Sequence, residues 1–448
     1  MACTTEEFLK DKIAGCWLGK ISGGTYAGRV EGRTREEIQK MRPPLTGWLQ
    51  THKQMVNDDE QYELVALLAL ESLSDADLAV RKQKREILTP DLLGKFWASN
   101  LDRRYVFTAE RAALENAMDH GVPWIHAGDE IHDGRYQNAY FDFIGAQMKG
   151  ELFGMLAPAW GWHADPIPTP EADLERLRPC LQLSLEDAWI AHRGVGIAGE
   201  LFVSAMVAAG IDHDPMDTKT KVNFPRSVAI SARMPLPERP AKVEEIIHHG
   251  VSAEVLKADI VRVKEAMLLL QDRRVAIADI KTFFEYIDAV VNTFSQTSDP
   301  RFWETAWQRA VELSGIYRQG LILDARTRLG VNKEWLKRRM AVLKKDRAFG
   351  VHTIPNNAAI VVGLIYGDGD MFQTMHRAAE CGLDTDCNAG NAAAILGAYI
   401  GEKLVPMYDR RFVRDEILSP LANWKDISLQ RLVDRTFEQS KRMGKNWP

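Results

Sequence analysis

Cysteine is scarce in this 448-residue chain: Cys3, Cys16, Cys180, Cys381 and Cys387 are odd in number and form no Cys-x-x-Cys pair. With no disulfide framework evident, they fit a reducing compartment, where cysteines behave as small buried apolar groups. An excess of basic charge is missing too. The 57 Lys and Arg stand against 62 Asp and Glu, for a formal net charge of −5. That excludes the concentrated basic field of a nucleic-acid surface, although a bound cation inverts the local sign and leaves an anionic small substrate compatible. The longest apolar stretch, around residues 358–366, is too short to span a bilayer. The acidic start, Met1 to Glu7, has neither the basic residues nor the apolar run of a signal peptide. These absences lead to the expectation of a cytoplasmic protein without nucleic-acid or membrane partners; they do not define its oligomeric state.

Also lacking is any sustained period-two segment bounded by hairpin turns. Helical periodicity takes its place. Thr4 and Glu7 have the spacing of a capping box, followed by Phe8, Ile13, Trp17 and Leu18 roughly on one face. Leu64, Val65, Leu67, Leu68 and Leu70 are apolar over most of a helix circumference, as at the centre of a bundle. The segments 201–209 and 388–400 are small and apolar, which suits close helix packing. At 46% hydrophobic and 27% charged, the chain can bury a sizeable core. The fold expected is all-α. Five prolines between Asp212 and Pro240 mark a break. The expected organisation is therefore a helical catalytic core formed by 1–211 and 346–448, with 212–345 as a Pro-rich segment and helical insertion. Within it, Asn332 to Lys345 presents a basic face of the kind that is normally solvated.

Two acidic clusters carry the chemistry. Asn57-Asp58-Asp59-Glu60 and Asp384-Thr385-Asp386 each precede an apolar helix. Either alone is explained as a helix cap, since Asn and Asp accept hydrogen bonds from free N–H groups and suit the helix dipole. Together they hold more carboxylates than capping requires, and the mutual repulsion calls for a cation. Oxygen donors suit Mg²⁺ or Mn²⁺, and also Ca²⁺, rather than zinc. A third element is the glycine-rich stretch from Gly15 to Gly32. Gly19, Gly23, Gly24, Gly28 and Gly32 are read there as a loop whose backbone turns tightly and approaches a ligand; it fits neither a dinucleotide fingerprint nor a P-loop.

In combination these motifs resemble the ADP-ribosylglycohydrolase family, which includes the dinitrogenase-reductase-activating glycohydrolases. Gly19 to Thr25 and on to Glu31-Gly32 resembles the family's first loop. Asn57-Asp58-Asp59 resembles its hydroxyl-Asp-Asp cluster, and Gly382 to Asn388 its late acidic cluster before an Ala/Gly-rich helix. Weaker matches are Ile144-Gly145-Ala146-Gln147 and His192-Arg193-Gly194. The resemblance implies an orthogonal multi-helix bundle with two divalent cations and hydrolysis of an N- or O-glycosidic bond to a ribosyl group, of ADP-ribosyl type. Its substrate would be a small molecule or an ADP-ribosylated partner. It implies Asn57, Asp58, Asp59, Asp384, Asp386 and Cys387 at the metal positions, with Glu31 beside the scissile bond and Asp58 and Asp59 also serving catalysis. Gly23, Gly24, Thr25 and Asn388 would contact substrate. Departures from the family pattern are Lys20 where Asp is common, Asn57 for a hydroxyl residue, Glu60 for Thr, and Cys387, a poor ligand for a hard cation, for Thr or Ser.

Other residues weigh less. His163 and Asp165, after the Trp160-Gly161-Trp162 turn, are candidates for the substrate mouth, and Asp129 and Glu130 for a further rim. His132-Asp133 lacks the partners of an HD phosphohydrolase. Two alternatives compete with the glycohydrolase: a Mg²⁺-dependent prenyl-diphosphate enzyme, which would want an acid where Tyr62 stands, and a catalytically altered relative that only binds ligand.

Overall fold

A computed structural model describes residues 5–42, 45, 58–164, 167–214, 251–328, 330–405, 419–421 and 428–444. The described chain is helical almost throughout. In order, the helices are α1 (Thr5–Ala27), α2 (Arg35–Gln39), α3 (Asp59–Glu71), α4 (Asp75–Lys84), α5 (Pro90–Asn100), α6 (Thr108–His120), α7 (Trp124–Ala127), α8 (Glu151–Leu156) and α9 (Pro170–Ala188). There follow α10 (Val195–Asp212), α11 (Ala253–Met267), α12 (Ile277–Thr297), α13 (Trp303–Thr327), α14 (Lys333–Lys344), α15 (Asp346–Phe349), α16 (Thr353–Gly367), α17 (Met371–Glu380), α18 (Thr385–Ile400) and α19 (Leu429–Met443). The sheet among the described residues is one short antiparallel hairpin, β1 (Ile131–His132) with β2 (Arg135–Tyr136). The expected all-α class holds. Thr4, half of the expected capping box, lies outside the described residues.

The centre of the fold is the antiparallel pair α1 and α18. A Cβ at Gly15 would overlap Gly397, one at Gly19 the Ala393 carbonyl, and one at Gly23 the Ala389 carbonyl. At the open end of the pair, Thr385 Oγ1 donates to Ala27 O at 2.9 Å. Glycine at every fourth position gives α1 a flat stripe on which the Ala- and Gly-rich α18 lies with the two backbones in contact. This corrects the loop reading of the glycine stretch. Gly19, Gly23, Gly24 and Thr25 lie inside α1 and are buried, and the role that the packing assigns to Gly19 and Gly23 is to seat α18. The turn begins after Ala27, where Gly32 takes φ +68°.

The most apolar helix is α10, which contains the small apolar segment 201–209. It is long and apolar enough to cross a membrane, but 94% of it is buried inside the fold. That burial is what the central helix of a folded core looks like. Helices α11 to α13 contribute Leu256, Ile260, Phe283, Phe284, Ile287 and Trp307 to the same apolar cluster as α1, α10, α16 and α18.

Helix α14 is basic on its solvent side, as expected, with one exception. Arg339 turns inward and makes a two-pronged ion pair with buried Asp142, both contacts at 2.6 Å. His352 Nε2 stands 3.2 Å from the same carboxylate.

Candidate functional site

Two helix starts and one turn converge at the end of the α1–α18 pair. The turn after α1 is strapped to the segment preceding α18: Gly32 N–H donates to Leu383 O and Leu383 N–H to Arg33 O, both at 2.8 Å. A bridge between Thr34 and Gly382 extends the strap. Gly382 has φ +78°, and a Cβ there would press on the Arg33 to Arg35 backbone, so glycine is required both by conformation and by contact. The strap sets Glu31 beside Asp384.

Asp58 and Asp384 occupy the N-cap positions of α3 and α18, yet neither side chain makes a capping hydrogen bond. Other starts in this chain use theirs in the ordinary way: Thr34, Ser74, Thr169, Ser252 and Asp370 each accept from a backbone N–H of the first turn. The capping explanation of the two acidic clusters therefore fails on geometry. The two carboxyls are instead close enough for the Asp384 charge to act on Asp58.

The electrostatics of that arrangement are severe. Asp59, Glu60, Asp384 and Asp386 are buried. Burial first, then the Asp384 charge and Glu31, pushes the Asp58 carboxyl up to about 7. Asp59 is held well above the usual carboxylate range by burial and then by Asp58. Burial, Asp384, Asp59 and Glu31 do the same to Asp386, and burial raises Asp384. Glu31 is open to solvent at the rim but ringed by enough protein that desolvation and Asp384 raise it as well. Carboxylates so crowded are stable only when protonated or when a cation lies among them.

The donor set fits a cation. One ligand atom each from Asp384, Asp386 and Cys387 lies within 4.8 Å of the others, and Asp386 Oδ1 is buried without a hydrogen-bond partner. Cys387 sits between the clusters, its Sγ 3.3 Å from Asp59 Oδ1. Burial and then Asp384 keep its thiol protonated, so it serves this group as a hydrogen-bond donor. Asn57 and Asp165 lie outside the described residues.

The nearby cation that sequence comparison marked as a departure, Lys20, is occupied. Its ammonium is buried between Glu63 and Glu151, 2.9 Å from each, and also donates to the Met148 carbonyl. Asn391 Nδ2 holds the other Glu151 oxygen at 2.6 Å. Lys20 thus balances Glu63 and Glu151, and reaches the acidic centre only through its longer-range field on Asp59 and Glu60.

Sequence reading missed Asn356. Its Oδ1 accepts from Asn388 Nδ2 at 2.7 Å and from the Asp384 N–H at 3.3 Å. Its Nδ2 donates to Gly350 O at 2.6 Å and His352 O at 2.8 Å. It fixes the start of α18 against α16. The available signal was Asn356-Asn357, a polar pair inside the otherwise apolar run of α16. Asn388 lies one turn below Asp384, with Oδ1 buried and unpartnered. His163 lies elsewhere. Its Nε2 meets Ala209 O at 3.2 Å and its ring stands against Tyr399, 6.1 Å between centroids. Tyr399 is at the far end of α18, roughly 20 Å from Asp384 at 1.5 Å rise per residue. Burial of the neighbouring Trp162 under α11, with Nε1 bonded to Asp259 at 2.8 Å, carries His163 to that end.

Glycine-seated helices opening onto two acidic helix starts match a known pattern over most of the chain: the sequence profile of the ADP-ribosylglycohydrolase family covers residues 5–445. The chain belongs to the ADP-ribosylglycohydrolase family. That span includes the segment 212–345 that the motifs themselves left uncovered. A solved structure titled "ADP-ribosylglycohydrolase-related protein complex" is 15% identical, covering 97% of this chain and 98% of that one at a TM-score of 0.43. Comparison with curated proteins gives no match.

Proposed function

We propose that this member of the family hydrolyses a glycosidic bond at the anomeric carbon of a ribosyl group, of ADP-ribosyl type, with two divalent cations at the acidic centre. The observation that carries the reading is that Asp58 and Asp384 stand at N-caps without capping, while the Asp384 charge acts on both Asp58 and Asp386. Asp58, Asp59, Asp384 and Asp386 are the residues that would hold the ions. Mg²⁺ or Mn²⁺ suits such oxygen donors best, with Ca²⁺ as the larger alternative. When bound, such ions orient sugar hydroxyls and lower the pKa of water.

The protein groups divide the remaining work. Glu31, at the solvent-facing rim with a carboxyl pKa raised by desolvation and then by Asp384, is placed to exchange a proton with the reacting water or the leaving group. Carboxylates beside the sugar favour an oxocarbenium-like transition state. Asn388 offers a free amide oxygen to a substrate hydroxyl. Asn356 holds the Asp384 main-chain N–H and the Asn388 side chain, tying the start of α18 to α16. Neither the HD-type nor the prenyl-diphosphate reading has an observation in its favour: position 62 is a buried tyrosine packed on Trp97, 5.3 Å between ring centroids.

A hydrolysis screen with Mg²⁺ or Mn²⁺ present tests the reading. It would cover ADP-ribosyl-arginine, ADP-ribosyl-serine, O-acetyl-ADP-ribose, nucleosides and simple glycosides. Release of ADP-ribose that stops on chelation is the expected result. Turnover of nucleosides or glycosides alone would replace the substrate class. Diphosphate release from a prenyl substrate, or cation-independent hydrolysis, would overturn the mechanism.

A further inference from the structure

Another group of metal-ligating side chains lies outside the acidic centre, in the short segment joining α7 to the hairpin. His126, Asp129 and His132 recur at three-residue spacing, and one ligand atom from each falls within 4.8 Å of the others. His126 is on α7, Asp129 follows that helix, and His132 is in β1. His126 Nδ1 is 2.8 Å from Asp129 Oδ2. The two imidazoles stack at 4.5 Å between centroids. We propose that His126, Asp129 and His132 form a separate transition-metal site of zinc type, which pins the β1–β2 hairpin to α7.

The chemistry differs from that of the acidic centre. Two imidazoles and one carboxylate suit Zn²⁺, Co²⁺, Ni²⁺ or Cu²⁺, whereas Mg²⁺ and Ca²⁺ favour oxygen alone. Three protein ligands leave one position of a tetrahedral ion for water. A plain His–Asp hydrogen bond accounts for His126 and Asp129, but not for His132, which is stacked on the His126 ring and whose Nε2, among the described residues, otherwise stands 3.4 Å from Asp133.

The carboxylate is also held from behind. Asp129 Oδ1 accepts from Arg193 Nε at 2.7 Å, leaving Oδ2 on the histidine side. Arg193 in turn donates to His192 O at 2.5 Å and Ile125 O at 3.0 Å, and its guanidinium lies 3.6 Å over the Trp189 ring. Fixing a ligand carboxylate through its second oxygen is the outer-shell arrangement of metal sites. Arg193 is thereby a positioning residue. The His126 side chain is 45% exposed, which gives an ion a way in. The hairpin is short, four residues with Asp133 and Gly134 at positive φ in its turn; Tyr136 anchors its second strand on Trp335, 4.5 Å between ring centroids, and the ion would anchor the first.

The test uses the full chain carrying Asp384→Asn and Asp386→Asn, so that the acidic centre does not compete; wild type in excess Mg²⁺ serves as the same background if that variant does not fold. Titration with Co²⁺ should give one equivalent with the visible absorption of tetrahedral cobalt, displaced by Zn²⁺ and not by Mg²⁺. Adding His126→Ala or His132→Ala should abolish that equivalent while far-UV circular dichroism stays native. Hydrogen exchange of residues 131–136 should slow on Zn²⁺ in the background and be unchanged in the histidine variants. An equivalent that survives both histidine substitutions, or no bound Co²⁺ in a natively folded background, overturns the proposal. Neither outcome bears on the glycohydrolase reading, which is tested by hydrolysis with Mg²⁺ or Mn²⁺.

Discussion

Asp58 and Asp384 are helix-start residues by sequence, yet in the fold neither side chain caps its own helix, and the Asp384 charge bears on the Asp58 carboxyl. The crowding has a measurable consequence. An Asp with an unfolded pKa of about 4 and a folded value of about 7 binds more protons in the native state than in the unfolded state throughout that window. Stability therefore falls as pH rises through it, with the loss complete above the folded value. In chelator, Tm should decline from about pH 5 to about pH 8, and Mn²⁺ should raise Tm more at the higher pH, because the ion binds the ionised form. Asp386→Asn should remove most of that Mn²⁺-dependent shift, and hydrolysis should fall by about 100-fold or more, beyond the 10–100-fold typical of a lost outer-shell partner. Asn356→Leu acts one step back. It leaves the Asp384 N–H and Asn388 Nδ2 buried without an acceptor, at about 1–3 kcal/mol each. Urea unfolding reads the stability loss, and a weakened Mn²⁺ response reads the displaced start of α18. Asn388 was legible because it stands beside an acidic motif. Asn356 was not, because its partners lie across the sequence in α18.

Helices α1 and α18 show how one residue type serves opposite purposes. Glycines at 15, 19 and 23 read as a loop because glycine in a helix interior costs about 0.5–1 kcal/mol relative to alanine. The structure offsets that cost by letting two helix backbones touch, a gain the local sequence does not contain. The fourfold spacing is the signal that distinguishes a helix stripe from a turn. A pair of substitutions separates the two effects. Gly19→Ala forces a Cβ into the Ala393 carbonyl and should destabilise by about 1–3 kcal/mol, as overpacking does. Gly315→Ala, in α13 where nothing lies within 4 Å of the added atom, should stabilise by up to about 1 kcal/mol from helix propensity alone. Denaturant midpoints for the two variants should move in opposite directions.

Across the whole molecule, the charges inside the core tie distant segments together. Arg339 brings α14 onto Asp142 between α6 and α8, and Lys20 joins α1 to α3 and α8. Arg339→Met should cost about 3–5 kcal/mol, since it leaves the buried Asp142 carboxylate without its guanidinium and with the His352 imidazole as its remaining partner among the described residues. Calorimetry and urea unfolding should both show the loss, and one shared transition is expected because α11 to α13 pack in the common core. What the sequence determined by itself was the helical class, the acidic helix starts and the family pattern, because apolar periodicity and clustered carboxylates are properties of neighbouring residues. Tertiary structure alone decided which acids meet, that the glycines seat a helix, and that His163 lies far from Asp384. Those outcomes depend on contacts between segments hundreds of residues apart, where burial and mutual charge set the chemistry.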